Sequence, residues 1–112
     1  MKKKLITEVS GVITAPVEQV WEALRKELPT WEPGDHVLAY QGGWWYRGEW
    51  SVLPDPDGTR VVHRVYNVAE WLRWMVPLAN RFFIGFAAQT RTGFADGLAR
   101  VAGHLGSSSR LT

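Results

Sequence analysis

Three side chains with usable chemistry, Tyr46, His63 and Asn67, stand on two alternating stretches, 44–53 and 60–68, on either side of Asp55, Pro56, Asp57 and Gly58. Proline presets φ there, the aspartates bond locally and glycine accepts positive φ, so the two stretches are expected to form a hairpin. With Asp55 to Gly58 as a four-residue loop, Pro54 faces Thr59, Val52 faces Val61, Trp50 faces His63 and Tyr46 faces Asn67. Glu49 then opposes Arg64, which puts an ion pair on the wet face and aromatic and aliphatic groups on the dry one. A slip of one residue would exchange the second strand's faces. On the dry face a neutral imidazole and a phenol could orient a ketone or phenol ligand. They could also act as base (His63) and acid (Tyr46) on an enolisable substrate. The bland alternative is that His63 and Asn67 only satisfy hydrogen bonds at the sheet rim.

Other chemistries find little support. Asp35, His36 and His104 lie too far apart for a metal-ligand pattern, so no metal is expected and no cofactor is implied. No serine or histidine has the surroundings of a nucleophilic triad, and Gly42-Gly43 reads as a turn and not as a phosphate loop. The absence of cysteine removes disulfides and thiolate metal sites and makes a reducing cytoplasm the expected setting. Thirteen basic against eleven acidic residues give a net charge of +2, and the arginines are spread out, which argues against nucleic-acid binding. The lysines at the N-terminus precede no apolar run, so no signal peptide is expected. The apolar region 68–88 is broken by Glu70, Arg73, Asn80 and Arg81, so no membrane-spanning segment is expected either.

The elements that must position the dry face follow from periodicity. With 112 residues and 46% hydrophobic composition, one domain over 1–112 is expected, with residues 1–4 and 107–112 as flexible tails. Leu5, Thr7, Val9, Gly11 and Ile13 alternate as one face of a strand, with Gly11 a candidate bend or bulge. Val17, Val20, Trp21, Leu24 and Leu28 recur at helical spacing; Pro16 suits the first turn and Pro29 ends the helix. Residues 29–36 read as a loop that tucks Trp31 under the domain, and a strand resumes at Val37 through Tyr40. Trp44 and Trp45 must point to opposite faces. Trp71, Trp74, Met75 and Leu78 fit a short helix that Pro77 would end or kink. From Asn80 as N-cap, Phe83, Phe86, Ala87, Phe94, Leu98, Val101, Ala102 and Leu105 line one side of a long helix closed at Gly106. Gly93 and Gly97 in that helix are expected to admit close packing against the sheet's large aromatics.

The element order and the run Ile13-Thr14-Ala15-Pro16-Val17-Glu18-Gln19-Val20-Trp21 resemble the polyketide cyclase/dehydrase branch of the START-like, Bet v 1-like (SRPBCC) superfamily. Members often carry Ile-x-Ala-Pro-x-x-x-Val-Trp where the first strand turns into the first helix. The resemblance implies an α+β helix-grip fold: a curved antiparallel sheet around the C-terminal helix, with a cavity for an apolar molecule between them. Ile13 would sit in the sheet, Pro16 would start the helix, and Val20 and Trp21 would pack inward. The usual domain is some thirty residues longer with six or seven strands, whereas about four strands are legible here.

The leading expectation is a non-catalytic carrier of a small apolar molecule, aromatic or isoprenoid-like. Trp50, Val52, Val61, Val65, Phe86, Phe94 and Leu98 would be the walls, and Tyr46, His63 and Asn67 the polar groups. A cyclase or dehydratase using His63 and Tyr46 is the enzyme alternative. A homodimeric interaction module, suggested by a shortened sheet and seven tryptophans, is the third.

Overall fold

The turn at Pro56 and Asp57 sets the frame of the sheet. Asp57 N–H donates to Asp55 Oδ1 at 3.0 Å, a local bond that closes the chain on itself. The computed structural model describes residues 4–42, 46–67 and 76–112, and side chains within 5–42, 46–66 and 88–112. The elements are β1 (Lys4–Ile13), α1 (Val17–Glu27), β2 (Glu32–Pro33), β3 (Val37–Gly42), β4 (Tyr46–Asp55), β5 (Gly58–Asn67), α2 (Val76–His104) and β6 (Ser109–Leu111). The molecule is α+β, with an antiparallel sheet of order β2-β3-β4-β5-β1-β6 among the described residues.

Six strands replace the four expected. The two additions, β2 and β6, are two and three residues long, too short for an alternating pattern to register. β6 also corrects the reading of 107–112 as a flexible tail. Thr14 N–H donates to Ser108 O and Thr112 N–H to Ser10 O, while Arg110 donates to Asp57 Oδ2 at 2.7 Å. At the other end Lys4 already belongs to β1, and residues 1–3 lie outside the described residues.

The hairpin register is the one the turn dictates: Pro54 faces Thr59, Val52 faces Val61, Trp50 faces His63 and Tyr46 faces Asn67. Pairing runs one step further than expected, to Asp55 opposite Gly58, which leaves only Pro56 and Asp57 in the turn. Arg64 stands between Glu49 on β4 and Glu8 on β1, and its Nε donates to Glu8 at 2.9 Å, while Arg47 Nε donates to Glu49 at 3.0 Å. The β1–β5 register shifts between Leu5 and Thr7, so the irregularity falls at Ile6 and not at Gly11. Gly11 pairs regularly and serves packing instead. A Cβ there would stand 2.7 Å from both Leu98 Cδ1 and Arg110 O.

α1 begins directly after Pro16, whose extended backbone makes it the N-cap, and buries Val20, Trp21 and Leu24. α2 starts at Val76, four residues before the expected Asn80 cap, and spans about 43 Å at roughly 1.5 Å per residue. Pro77 did not prevent this. In the first turn its missing N–H has no intrahelical acceptor to lose. Leu78 thus belongs to α2, while the rest of the expected short helix (Trp71, Trp74, Met75) lies outside the described residues. So do Trp44 and Trp45, and so do the side chains of Phe83, Phe86 and Ala87. At its far end α2 closes as expected: Gly106 has φ +63°, its N–H donates to Gly103 O, and Ser107 N–H donates to Ala102 O.

Phe94, Leu98, Val101 and Ala102 of α2 meet Val9, Ile13, Trp50, Val52 and Val61 of the sheet and Val20, Trp21 and Leu24 of α1 in one core. Gly97 lies against Trp50, where a Cβ would come within 3.3 Å of the indole, but Gly93 has nothing within 4 Å. The close packing expected of both glycines therefore holds for one. Gly11→Ala is expected to lower stability by about 1–3 kcal/mol through overpacking, and Gly93→Ala to raise it by up to about 1 kcal/mol through helix propensity. Urea midpoints of the two variants and the parent would check the opposite signs.

Candidate functional site

The face of the sheet turned toward α2 presents Tyr46, Gly48, Trp50 and Val52 on β4 beside Val61, His63 and Val65 on β5. Alternation puts every one of them on that side. Val52, Val61 and Val65 are buried near the middle of the sheet, and Trp50 packs against Phe94 with ring centroids 5.0 Å apart. Five of the expected pocket walls (Trp50, Val52, Val61, Phe94 and Leu98) are thus members of the packed core. Among them the rings are in contact with one another. The side chains of Asn67 and Phe86 lie outside the described residues.

Toward the other end of the same face the packing changes character. Gly48 leaves a gap in the row between Tyr46 and Trp50, and two rings fill it. A Cβ at Gly48 would lie 2.6 Å from the Trp31 ring and 2.7 Å from the Tyr46 hydroxyl. Trp31 reaches this spot from the segment before β2, held by its N–H donating to Leu28 O at 3.2 Å. It lies 5.6 Å from the Tyr40 ring and 6.2 Å from His63, and Tyr40 lies 6.3 Å from Tyr46. Trp31, Tyr40 and Tyr46 therefore pave the sheet beside His63. The loop reading foresaw that Trp31 tucks under the domain, but not its seat. The signal was the glycine at 48, a missing side chain in an otherwise aromatic row.

His63 is the polar centre of this surface. It is only 6% exposed, with Trp50 at 4.8 Å and Phe94 nearly parallel to it at 6.1 Å. Its Nδ1 lies 3.1 Å from the Glu49 carbonyl oxygen. A carbonyl only accepts, so Nδ1 carries the proton and Nε2 is left as an acceptor. Burial pulls the His63 pKa down from 6.5 to about 4, against a smaller upward pull from that carbonyl. The imidazole is therefore neutral at physiological pH. As a general base it is poorly matched to neutral chemistry, where a pKa near the operating pH serves best. Tyr46 keeps its proton more firmly than usual because burial raises its pKa, with Tyr40 adding to the effect. In register Tyr46 is four residues from the Trp50–His63 row, about 13 Å along the strand. The acid and base of the enzyme alternative are not adjacent in register, although the Tyr46 ring leans back over Gly48.

His36 has the opposite setting. Its backbone is left-handed, at φ 57°, and its ring lies 5.3 Å from Trp21. Nδ1 is 2.9 Å from Asp35 Oδ1 and Nε2 is 2.8 Å from Glu18 Oε1. Hydrogen bonding to Asp35, then to Glu18, raises its pKa above 6.5. The ring ties the start of β3 to α1. His104 stands in the last turn of α2. Among the described residues no group of three or more histidine, cysteine or acidic side chains is placed to hold a metal ion, and no helix is long and apolar enough to cross a membrane.

Three hollows lined by described residues open elsewhere on the surface: between Val17, His36 and Leu53, between α1 and Leu105, and beside Pro33 and Tyr40. None of the three includes Trp50, His63 or Phe94. Comparison with protein-family models, curated proteins and solved structures finds no match.

The two histidines predict separate pH windows. For His63 the unfolded chain takes up a proton below pH 6.5 while the folded chain resists until about 4. Stability should therefore fall across that interval, by on the order of 3 kcal/mol, and level off below it. For His36 the stabilisation is complete below 6.5 and is lost as pH rises through its raised folded value. Urea unfolding at closely spaced pH values would check this. His63→Phe should flatten the acid limb relative to the parent, and His36→Asn, which tolerates the left-handed backbone, should flatten the limb above pH 6.5.

Proposed function

We propose that this chain is a binding or carrier module for a small, largely apolar molecule, held against Trp31, Tyr40, Tyr46 and His63 on the face of the sheet turned toward α2. On this reading it is a helix-grip domain of the START-like type, working without a cofactor and in the cytoplasm. Several features support the family reading. Strand, helix, antiparallel strands and long helix follow in the expected order. Within the opening run, Ile13 lies buried in β1, Pro16 caps α1, and Val20 and Trp21 pack inward.

The observation that carries the binding reading is His63: a buried imidazole fixed through Nδ1 and surrounded by rings, with no hydrogen-bond partner for Nε2 among the described residues. Nε2 is not fully buried, so the ring offers one accessible acceptor at the edge of an otherwise apolar, ring-lined surface. A ligand can use that acceptor while its apolar body lies on the rings. Aromatic walls with a few placed polar groups are the usual make-up of small-molecule sites. The neutral, weakly basic histidine favours binding over acid–base catalysis.

Titration with N-phenyl-1-naphthylamine, an apolar fluorescent probe, is expected to show saturable one-to-one binding. Trp31→Ala should weaken it about tenfold, the loss expected for one aromatic wall, with far-ultraviolet circular dichroism unchanged. Non-saturable fluorescence, or equal affinity in the folded variant, would overturn the reading. Native mass spectrometry of protein from its own host should show a retained small molecule.

A further inference from the structure

We infer that the ligand carries a hydroxyl group, phenolic or alcoholic, that donates its hydrogen to His63 Nε2. This rests on the binding reading above and specifies which functional group the site selects.

The direction of the hydrogen bond follows from the tautomer. Nδ1 is 3.1 Å from the Glu49 carbonyl oxygen, which cannot donate, so the single proton of the neutral ring is on Nδ1. Nε2 therefore presents a lone pair. Turning the ring over would put a carbon against that carbonyl and forfeit the bond. A second proton, which would turn Nε2 into a donor, is opposed by the burial of the ring.

Nε2 is also reachable. Among the described residues Nδ1 makes the ring's one hydrogen bond, and no described side-chain nitrogen or oxygen is both fully buried and unpaired. The unpaired Nε2 must then be the atom that keeps contact with open space. Its lone pair leaves in the plane of the ring, whereas Phe94, tilted by only 4°, stacks alongside that plane. Trp31 and Trp50, 6.2 and 4.8 Å from the imidazole, supply apolar surface beside it. A ketone, ester or ether brings oxygen lone pairs against the nitrogen lone pair, while a hydroxyl of the same size completes the bond.

Three probes of one shape and different functional group test this: 2-naphthol, 2-methoxynaphthalene and 2-acetylnaphthalene, titrated against the full chain by isothermal calorimetry at pH 7. 2-Naphthol should bind about tenfold more tightly than the ether, the usual effect of one neutral hydrogen bond. In His63→Phe the two should bind alike. On protein labelled with nitrogen-15 at histidine, the Nε2 resonance of His63 should move with 2-naphthol and stay in place with the ether, a readout that does not depend on any variant folding. Equal binding of all three, or tightest binding of the ketone, would overturn the hydroxyl inference alone. Failure of all three to saturate the protein would overturn the binding reading and this inference with it.

Discussion

The seat of α2 on β1 is the contact on which the other parts depend. At Gly11 the sheet has no side chain, and Leu98 and the carbonyl of Arg110 come so close that even a methyl group would collide with them. The helix can therefore lie low enough for Phe94 and Leu98 to join Val9, Ile13 and Val61 in one core. The same closeness brings β6 back onto β1, because the chain leaves α2 through the left-handed turn at Gly106 and arrives at Ile13 within a few residues. The helix, the core and the last strand share one geometric requirement.

Once α2 is seated, the row Val9, His63 and Trp50 across β1, β5 and β4 marks a division in the sheet. On one side lie Val52, Val61, Ile13 and the α1 residues Val20, Trp21 and Leu24, tightly packed. On the other, Gly48 opens the row and Trp31, Tyr40 and Tyr46 lay their rings over the strands. His63 belongs to both regions. It is buried enough to be held neutral, yet among the described residues only one of its nitrogens has a hydrogen-bond partner. A solid core would be better served by an aliphatic residue at this point, which is why the binding reading turns on a single imidazole.

The charged groups do a different job. Arg64 with Glu8 joins β5 to β1, Arg110 with Asp57 joins β6 to the β4–β5 turn, and Arg100 with Glu27 joins α2 to α1. Exposed pairs of this kind contribute little stability each, typically below about 1 kcal/mol. Their value is in selecting one arrangement of neighbours. His36 with Asp35 and Glu18 adds a tie between α1 and β3 that depends on protonation.

Much of the fold was legible in the residues. Alternation gave β1, β3, β4 and β5, helical spacing gave α1 and the buried side of α2, and the Asp-Pro-Asp-Gly turn dictated a register that placed Trp50 beside His63. These features are local, and local chemistry suffices to specify them. Length was less legible: Pro77 reads as a stop but costs nothing in a first turn, so α2 begins earlier than its proline suggests. β2 and β6 were invisible, since strands of two and three residues exist only because a neighbouring edge is there to pair with them. The candidate site divides in the same way. Sequence alone determined that His63 lies on the inner face among aromatic residues. Tertiary structure decided that most of the expected walls pack as core and that Trp31 fills the gap at Gly48. It also decided that Nδ1 of His63 is the nitrogen that meets the Glu49 carbonyl, because each outcome depends on which groups meet across the sheet.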